Sequence, residues 1–224
     1  MRPVNPLPPA TRRAALAALA LVVALGPVAA TGDEGTKPAA KAGKSCCTPA
    51  AADAAPETGG TAYQRSVEAL TVPDLTLVRM DGRKVSLRDE LTADTPVLVN
   101  FIFTTCTTIC PVMSATFSQV QAGLGEEQKV RMVSISIDPE QDTPARLRDY
   151  AQRHEAGPDW HFLTGSVEQI DTVQKAFNAY RGNKFNHAPL TFMRTPGGPH
   201  WVRIEGLVKA EVILDEYDKL VAEL

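Results

Sequence analysis

The strongest constraint in this chain is the run Val97-Leu98-Val99-Asn100-Phe101-Ile102-Phe103, in which only Asn100 is polar. A strand with one wet face alternates polar and apolar residues, so a run without alternation must be covered on both faces. The chain therefore needs a sheet flanked by helices, with this segment at its centre. Directly after it comes Thr104-Thr105-Cys106-Thr107-Thr108-Ile109-Cys110-Pro111. Two thiols thus stand at the carboxyl end of a central strand, where open α/β sheets place their ligands.

The rest of the chain beyond residue 62 alternates strand and helix as such a sheet requires. Residues 75–79 and 85–87 flank Asp81-Gly82, a turn pair that tolerates positive φ, and read as a hairpin followed by a polar loop. Residues 112–124 have helical spacing and a glycine exit, residues 130–137 read as a strand, and Thr143-Pro144 supplies a cap and a first-turn proline for a helix to His154. A short strand ends at Phe162-Leu163, and Ser166-x-x-Gln169 is a capping box for a helix running to Tyr180. Residues 190–193 and 201–204 make a last hairpin, and residues 210–224 a closing helix. This order predicts one α/β domain of thioredoxin-like fold over residues 63–224.

Ahead of that domain the composition changes. Arg12-Arg13, an apolar stretch from Ala14 to Leu25, Gly26-Pro27 and then Val28-Ala29-Ala30 have the order of a secretory signal peptide over residues 1–30, cleaved after Ala30. The competing reading is an uncleaved membrane anchor, which Gly26-Pro27 would interrupt short of the roughly 20 residues a span needs. Residues 31–62, rich in Ala, Pro, Gly, Thr and Lys, offer too little apolar bulk to offset chain entropy and read as a flexible tether. The domain is expected outside the cytoplasm, in the periplasm or at the outer face of the cytoplasmic membrane. Residues 1–30 hold three arginines and no acid, so the remainder carries 20 Lys and Arg against 26 Asp and Glu, a net charge near −6. That balance argues against nucleic acid as a partner, because phosphate-binding surfaces concentrate basic residues.

The four cysteines fall into two pairs. Cys46-Cys47 lies in the tether and reads as exposed thiols or a vicinal disulfide, or else as a mobile metal- or disulfide-relay arm. Cys106 and Cys110 share a face if the chain coils toward helix between them, close enough for a disulfide or a common metal. A helix N-terminus favours thiolate, so both sulfurs are expected to be nucleophilic near neutral pH. A purely structural disulfide here would close so small a loop that it would constrain little of the unfolded chain. Among the histidines, His154 at a helix end, and His161 and His200 beside Trp160 and Trp201, read as packing or surface residues. His187 differs, because Asn183-Lys184-Phe185-Asn186-His187-Ala188-Pro189 precedes the strand 190–193, and in a thioredoxin-type layout that loop faces the dithiol. Pro189 stands where such folds often carry a cis proline. Two thiolates and an imidazole suit copper, as Cu(I) or Cu(II), whereas a structural zinc wants a fourth ligand.

Cys106-x3-Cys110-Pro111 behind Asn-Phe-Ile-Phe-Thr-Thr, the segment Ser134-Ile-Ser-Ile-Asp138-Pro139-Glu-Gln-Asp142-Thr143-Pro144, Trp160-His-Phe-Leu-Thr-Gly165 and the downstream His187 together resemble the Sco/SenC family over residues 68–224. The resemblance implies a thioredoxin-like copper protein, exported and often membrane-tethered, that helps to assemble the binuclear copper centre of cytochrome c oxidase. It implies Cys106, Cys110 and His187 as metal ligands, and as partners the copper-bearing oxidase subunit and other copper chaperones or thiol reductants. The chain departs from the family pattern with Thr107-Thr108-Ile109 between the cysteines, and with Asn186 where an aspartate commonly precedes the histidine. A carboxylate that would orient the imidazole is therefore missing. Two mechanisms follow. One is a metallochaperone holding copper on the three ligands. The other is a thiol-disulfide oxidoreductase in which Cys106, ahead of the helix, attacks and Cys110 resolves. A peroxidase would want a single low-pKa cysteine with a nearby arginine, which the sequence does not display. The block from Asp138-Pro139 to Asp142-Thr143-Pro144 reads as turn and cap residues, with a functional surface role as the alternative.

Overall fold

The computed structural model describes residues 63–92, 94–125 and 129–222. The expected signal or anchor over residues 1–30 and the tether over 31–62, with Cys46-Cys47, lie outside the described residues. In chain order the elements are β1 (Gln64–Glu68), β2 (Thr76–Arg79), β3 (Lys84–Ser86), α1 (Leu87–Leu91), β4 (Val97–Ile102) and α2 (Ile109–Leu124). They continue with β5 (Arg131–Ser136), α3 (Pro144–Arg153), β6 (Trp160–Thr164), α4 (Val167–Ala176), a 3-10 turn (Lys184–Asn186), β7 (Leu190–Arg194), β8 (Trp201–Glu205) and α5 (Ala210–Ala222).

The apolar run forms β4, and every one of its residues is buried. It lies in parallel with β5, and β5 in parallel with β6. On its other side β4 pairs antiparallel with β7, β7 with β8, and β8 with β1, giving the sheet order β1-β8-β7-β4-β5-β6-β2-β3. The fold is thioredoxin-like α/β. The amide oxygen of the one polar residue of the central strand is satisfied by a relay, in which Ser134 Oγ donates to Asn100 Oδ1 at 2.7 Å and accepts from Trp160 Nε1 at 2.9 Å.

Helix α2 buries Cys110, Met113, Phe117, Val120 and Leu124, a stripe at three- and four-residue intervals that drives it onto the core. Phe117 packs on Trp160, which stacks on Phe162. A second aromatic cluster, Phe101, Phe177, Phe192 and Trp201, meets edge to face with centroids 5.2–6.1 Å apart. Edge-to-face geometry sets the positive ring edge against the negative face.

Several local expectations need correction. Helix α2 begins at Ile109, three residues before the expected 112, so Cys110 and Pro111 belong to its first turn. Proline costs nothing there, since a first-turn N–H has no partner within the helix. The polar loop after the first hairpin contains α1, capped by the Ser86 hydroxyl and anchored by buried Leu87 and Leu91. Helix α4 stops at Ala176 instead of Tyr180, because the chain turns through a left-handed Asn178 with φ of 51°. The edge strand β1 was not anticipated; its sequence Gln-Arg-Ser-Val-Glu carries one apolar residue, and it exists by pairing with β8. The described residues contain no cis peptide bond, so Pro189 is trans, the ordinary isomer. Among the described residues no helix is long and apolar enough to cross a membrane.

The topology brings three loops to one end of the sheet. Strand β4 ends at Ile102 where antiparallel β7 begins, with Asn100 opposite Thr191. The Ile137 N–H donates to the Ile102 carbonyl at 2.8 Å, fixing the exit of β5 beside the exit of β4. The loops around Cys106, Asp138 and His187 therefore meet.

Candidate metal centre

Cys106 and Cys110 are both free thiols and both buried, Cys110 fully and Cys106 with 8% of its surface exposed. Thr108 caps α2 without a side-chain hydrogen bond. The Cys110 N–H instead donates to Cys106 Sγ at 3.4 Å. Pro111 has no N–H to offer, so a sulfur takes the place of the hydroxyl or carboxylate that caps most helices. Burial pushes the Cys106 thiol up, but hydrogen bonds from Cys110 and Thr108 outweigh it and leave its pKa lowered. For Cys110 burial dominates, reinforced by the neighbouring sulfur and by Asp142, and its thiol is pushed far up. The expectation that both sulfurs are nucleophilic holds for Cys106, whose pKa is lowered, and is corrected for Cys110, whose burial disfavours the thiolate.

His187 reaches the dithiol from the loop before β7. Its Nε2 lies 3.3 Å from Cys110 Sγ, and its Nδ1 lies 2.8 Å from the Lys184 carbonyl. A carbonyl can only accept, so Nδ1 carries the proton and the Nε2 lone pair faces the sulfurs. Burial lowers the imidazole pKa, partly countered by the Lys184 carbonyl, so that the net shift favours the neutral ring. The backbone carbonyl thus does the orienting that the sequence assigned to a missing carboxylate. Phe103 lies beneath, with its ring 5.1 Å from His187 and 6.1 Å from Phe185, both edge-on. Cys106 Sγ, Cys110 Sγ and a His187 nitrogen all lie within 4.8 Å of one another, the one such group of potential metal-ligating residues among the described residues.

The Asp138–Pro144 block does more than turn and cap. Thr143 does cap α3, accepting from the Arg146 N–H. Fully buried Asp142, however, accepts from the Thr104 N–H and hydroxyl and from the Ser136 hydroxyl, holding the chain two residues before Cys106. Asp138, also buried, pairs with Lys184 Nζ at 2.5 Å. Thr104 and Lys184 lie 38 and 46 residues away in sequence, so local reading of the motif sees only a turn. The other histidines stand apart from the site: His161 is buried against Glu90 at 2.6 Å, His154 ends α3, and His200 is exposed.

The SCO1/SenC family model matches residues 64–222. The SCO1 protein homolog of Bacillus subtilis (strain 168) is 42% identical over 112 residues, covering 48% of this chain and 57% of that protein. The chain spans about half the length of the curated relatives it matches. Among solved structures, BsSco, a member of the Sco family of cytochrome c oxidase assembly proteins, superposes with a TM-score of 0.58 at 29% identity, covering 68% of this chain and 94% of that one. Bradyrhizobium japonicum ScoI with copper bound gives a TM-score of 0.50 at 26% identity, covering 58% and 85% of the two chains. With a family match spanning the described domain almost end to end, the chain belongs to the SCO1/SenC family.

Proposed function

We propose that this chain is an extracytoplasmic copper carrier that holds one copper ion on Cys106, Cys110 and His187 and delivers it to the copper-bearing subunit of cytochrome c oxidase. The observation that carries the reading is the convergence of two sulfurs and an imidazole nitrogen within 4.8 Å, with the nitrogen lone pair already turned toward the sulfurs. That donor set fits copper, since soft thiolates select Cu(I) and the added imidazole suits Cu(II). Copper bound to the related ScoI and the oxidase-assembly role of BsSco support the same reading. The basic, apolar and small-residue order of residues 1–30 supports export. Copper is here the cargo, and three ligands leave room for an incoming one. Cys110, fully buried, is the ligand that a partner thiolate reaches last. Mixing the copper-loaded chain with the reduced, copper-free domain of an oxidase copper subunit tests delivery. The absorption spectrum of a binuclear copper centre is expected to develop; retention of all copper by this chain would refute the role.

The asymmetry of the two thiols favours a second use of the same site, as a reductant of the partner's cysteines. Cys106 thiolate attacks a partner disulfide, one partner sulfur leaves as thiolate, and Cys110, on losing its proton, attacks Cys106 Sγ and expels the other. Two electrons pass to the partner, and Cys106 and Cys110 end as a disulfide. Cys110→Ser is expected to trap the mixed disulfide through Cys106, and failure to trap one removes this reading.

A further inference from the structure

We propose that Lys184 is a positioning residue of the copper site. Its ion pair with Asp138 pins the 3-10 turn so that its own carbonyl holds His187 with Nε2 free and aimed at the dithiol. The inference rests on reading Cys106, Cys110 and His187 as the copper ligands.

Apart from the edge-on contacts of Phe185 and His187 with Phe103, the turn has little else to hold it. Asn183, Phe185 and Asn186 are exposed, Phe185 to 75%, so hydrophobic burial does not fix residues 183–186. Within the turn, Asn183 Oδ1 accepts from the Phe185 N–H, which shapes the turn but does not attach it. Attachment comes from the Lys184 ammonium, which reaches Asp138 and lies 5.6 Å from the centroid of the Phe103 ring. Asp138 is a firm anchor. Only 5% exposed, it donates its N–H to Ser136 Oγ, and its carbonyl accepts from the N–H groups of Gln141 and Asp142. A carboxylate that buried needs a counter-charge, and Lys184 is its only salt-bridge partner among the described residues.

One residue therefore carries both ends of the device. The Lys184 side chain fixes where the turn sits, and its carbonyl, 2.8 Å from Nδ1, fixes which imidazole nitrogen is free. The loop that supplies Asp138 also supplies Asp142, which holds Thr104 ahead of Cys106. The histidine half and the dithiol half of the site are thus referenced to one short segment, residues 138–142. Orienting partners of ligating histidines ordinarily come from carboxylates, backbone carbonyls or water. Here a lysine recruits the carbonyl.

The test compares wild type, Lys184→Met, Asp138→Asn, the double variant and Lys184→Arg in the full chain, each checked for folding by its thermal melt. In the reduced, copper-free protein, long-range 15N–1H NMR of the imidazole reads the tautomer. Wild type is expected as the Nδ1–H form. Lys184→Met and Asp138→Asn should each admit the Nε2–H form, the double variant should do no more than either single change, and Lys184→Arg should restore the wild-type pattern. In a second arm, Cu(II) affinity should fall about 10- to 100-fold in the Lys184→Met and Asp138→Asn variants, with a much smaller change for Cu(I). An unchanged tautomer together with unchanged Cu(II) affinity in folded Lys184→Met overturns the proposal, whether or not Asp138→Asn folds. Wild type that binds no copper would instead sink the copper reading, and the tautomer arm would still decide what Lys184 does.

Discussion

At the scale of single residues, the two cysteines differ because one sulfur accepts hydrogen bonds at a helix start while the other is sealed beneath the helix. Iodoacetamide should therefore alkylate Cys106 first, with a pH midpoint below the ordinary thiol value of about 8.5, and should spare Cys110 until the domain unfolds. Mass spectrometry of the alkylated peptides reads this directly, and preferential modification of Cys110 would contradict it. His187→Ala should weaken Cu(II) by more than about 100-fold, beyond the usual loss from an outer partner, and weaken Cu(I) much less, because two sulfurs suffice for the softer ion. Competition titrations in each oxidation state measure the difference. The candidate ligand set was legible from Cys-x3-Cys at a strand end and a histidine before the next strand, and the structure brings the three residues together. The orienting groups were not: the Lys184 carbonyl and the Asp142 carboxylate act across the fold and leave no local pattern.

At the scale of elements, the site is built where β4 ends and β7 begins, and the sequence foretold both strands through their apolar runs. It foretold less where an element depends on partners distant in sequence. Strand β1, nearly devoid of apolar residues, forms because β8 offers it a ladder, and α1 hides in a polar stretch because its two leucines are its only apolar residues. Helix α2 starts three residues before the stretch whose spacing marks it, and Pro111 sits within its first turn. Asp142 ties the loop after β4 to the exit of β5. Asp142→Ala leaves the Thr104 N–H and the Thr104 and Ser136 hydroxyls without their acceptor, and should cost about 2–3 kcal/mol. A denaturant melt should show the loss, and copper affinity should fall with it as Cys106 is released. A midpoint equal to wild type would show that the tie does not bear on stability.

At the scale of the whole molecule, the buried carboxylates Glu90 and Glu216 contribute to the response to acid. Burial pushes Glu90 up, but His161, Arg131 and Arg79 outweigh it and leave its pKa lowered; burial likewise raises Glu216, and Arg65 and Lys219 reverse it. A carboxyl lowered by folding stabilises fully above its unfolded pKa, about 4.3 for Glu, and loses that stabilisation as pH falls through the folded value. Urea midpoints should hold steady near neutrality and fall below about pH 4.3, and Glu90→Gln should flatten that fall while lowering the neutral plateau. The acidic charge left beyond residue 30, near −6, favours approach of a cation or a basic docking surface. The most direct test of the copper site is a titration of the reduced chain, with Cys46 and Cys47 changed to serine, using Cu(I) and Cu(II) in turn. One ion per chain should bind in each state, with a sulfur-to-Cu(II) absorption band that disappears when Cys106 and Cys110 are changed to serine. No stoichiometric binding, or a band that survives loss of both cysteines, would contradict the account.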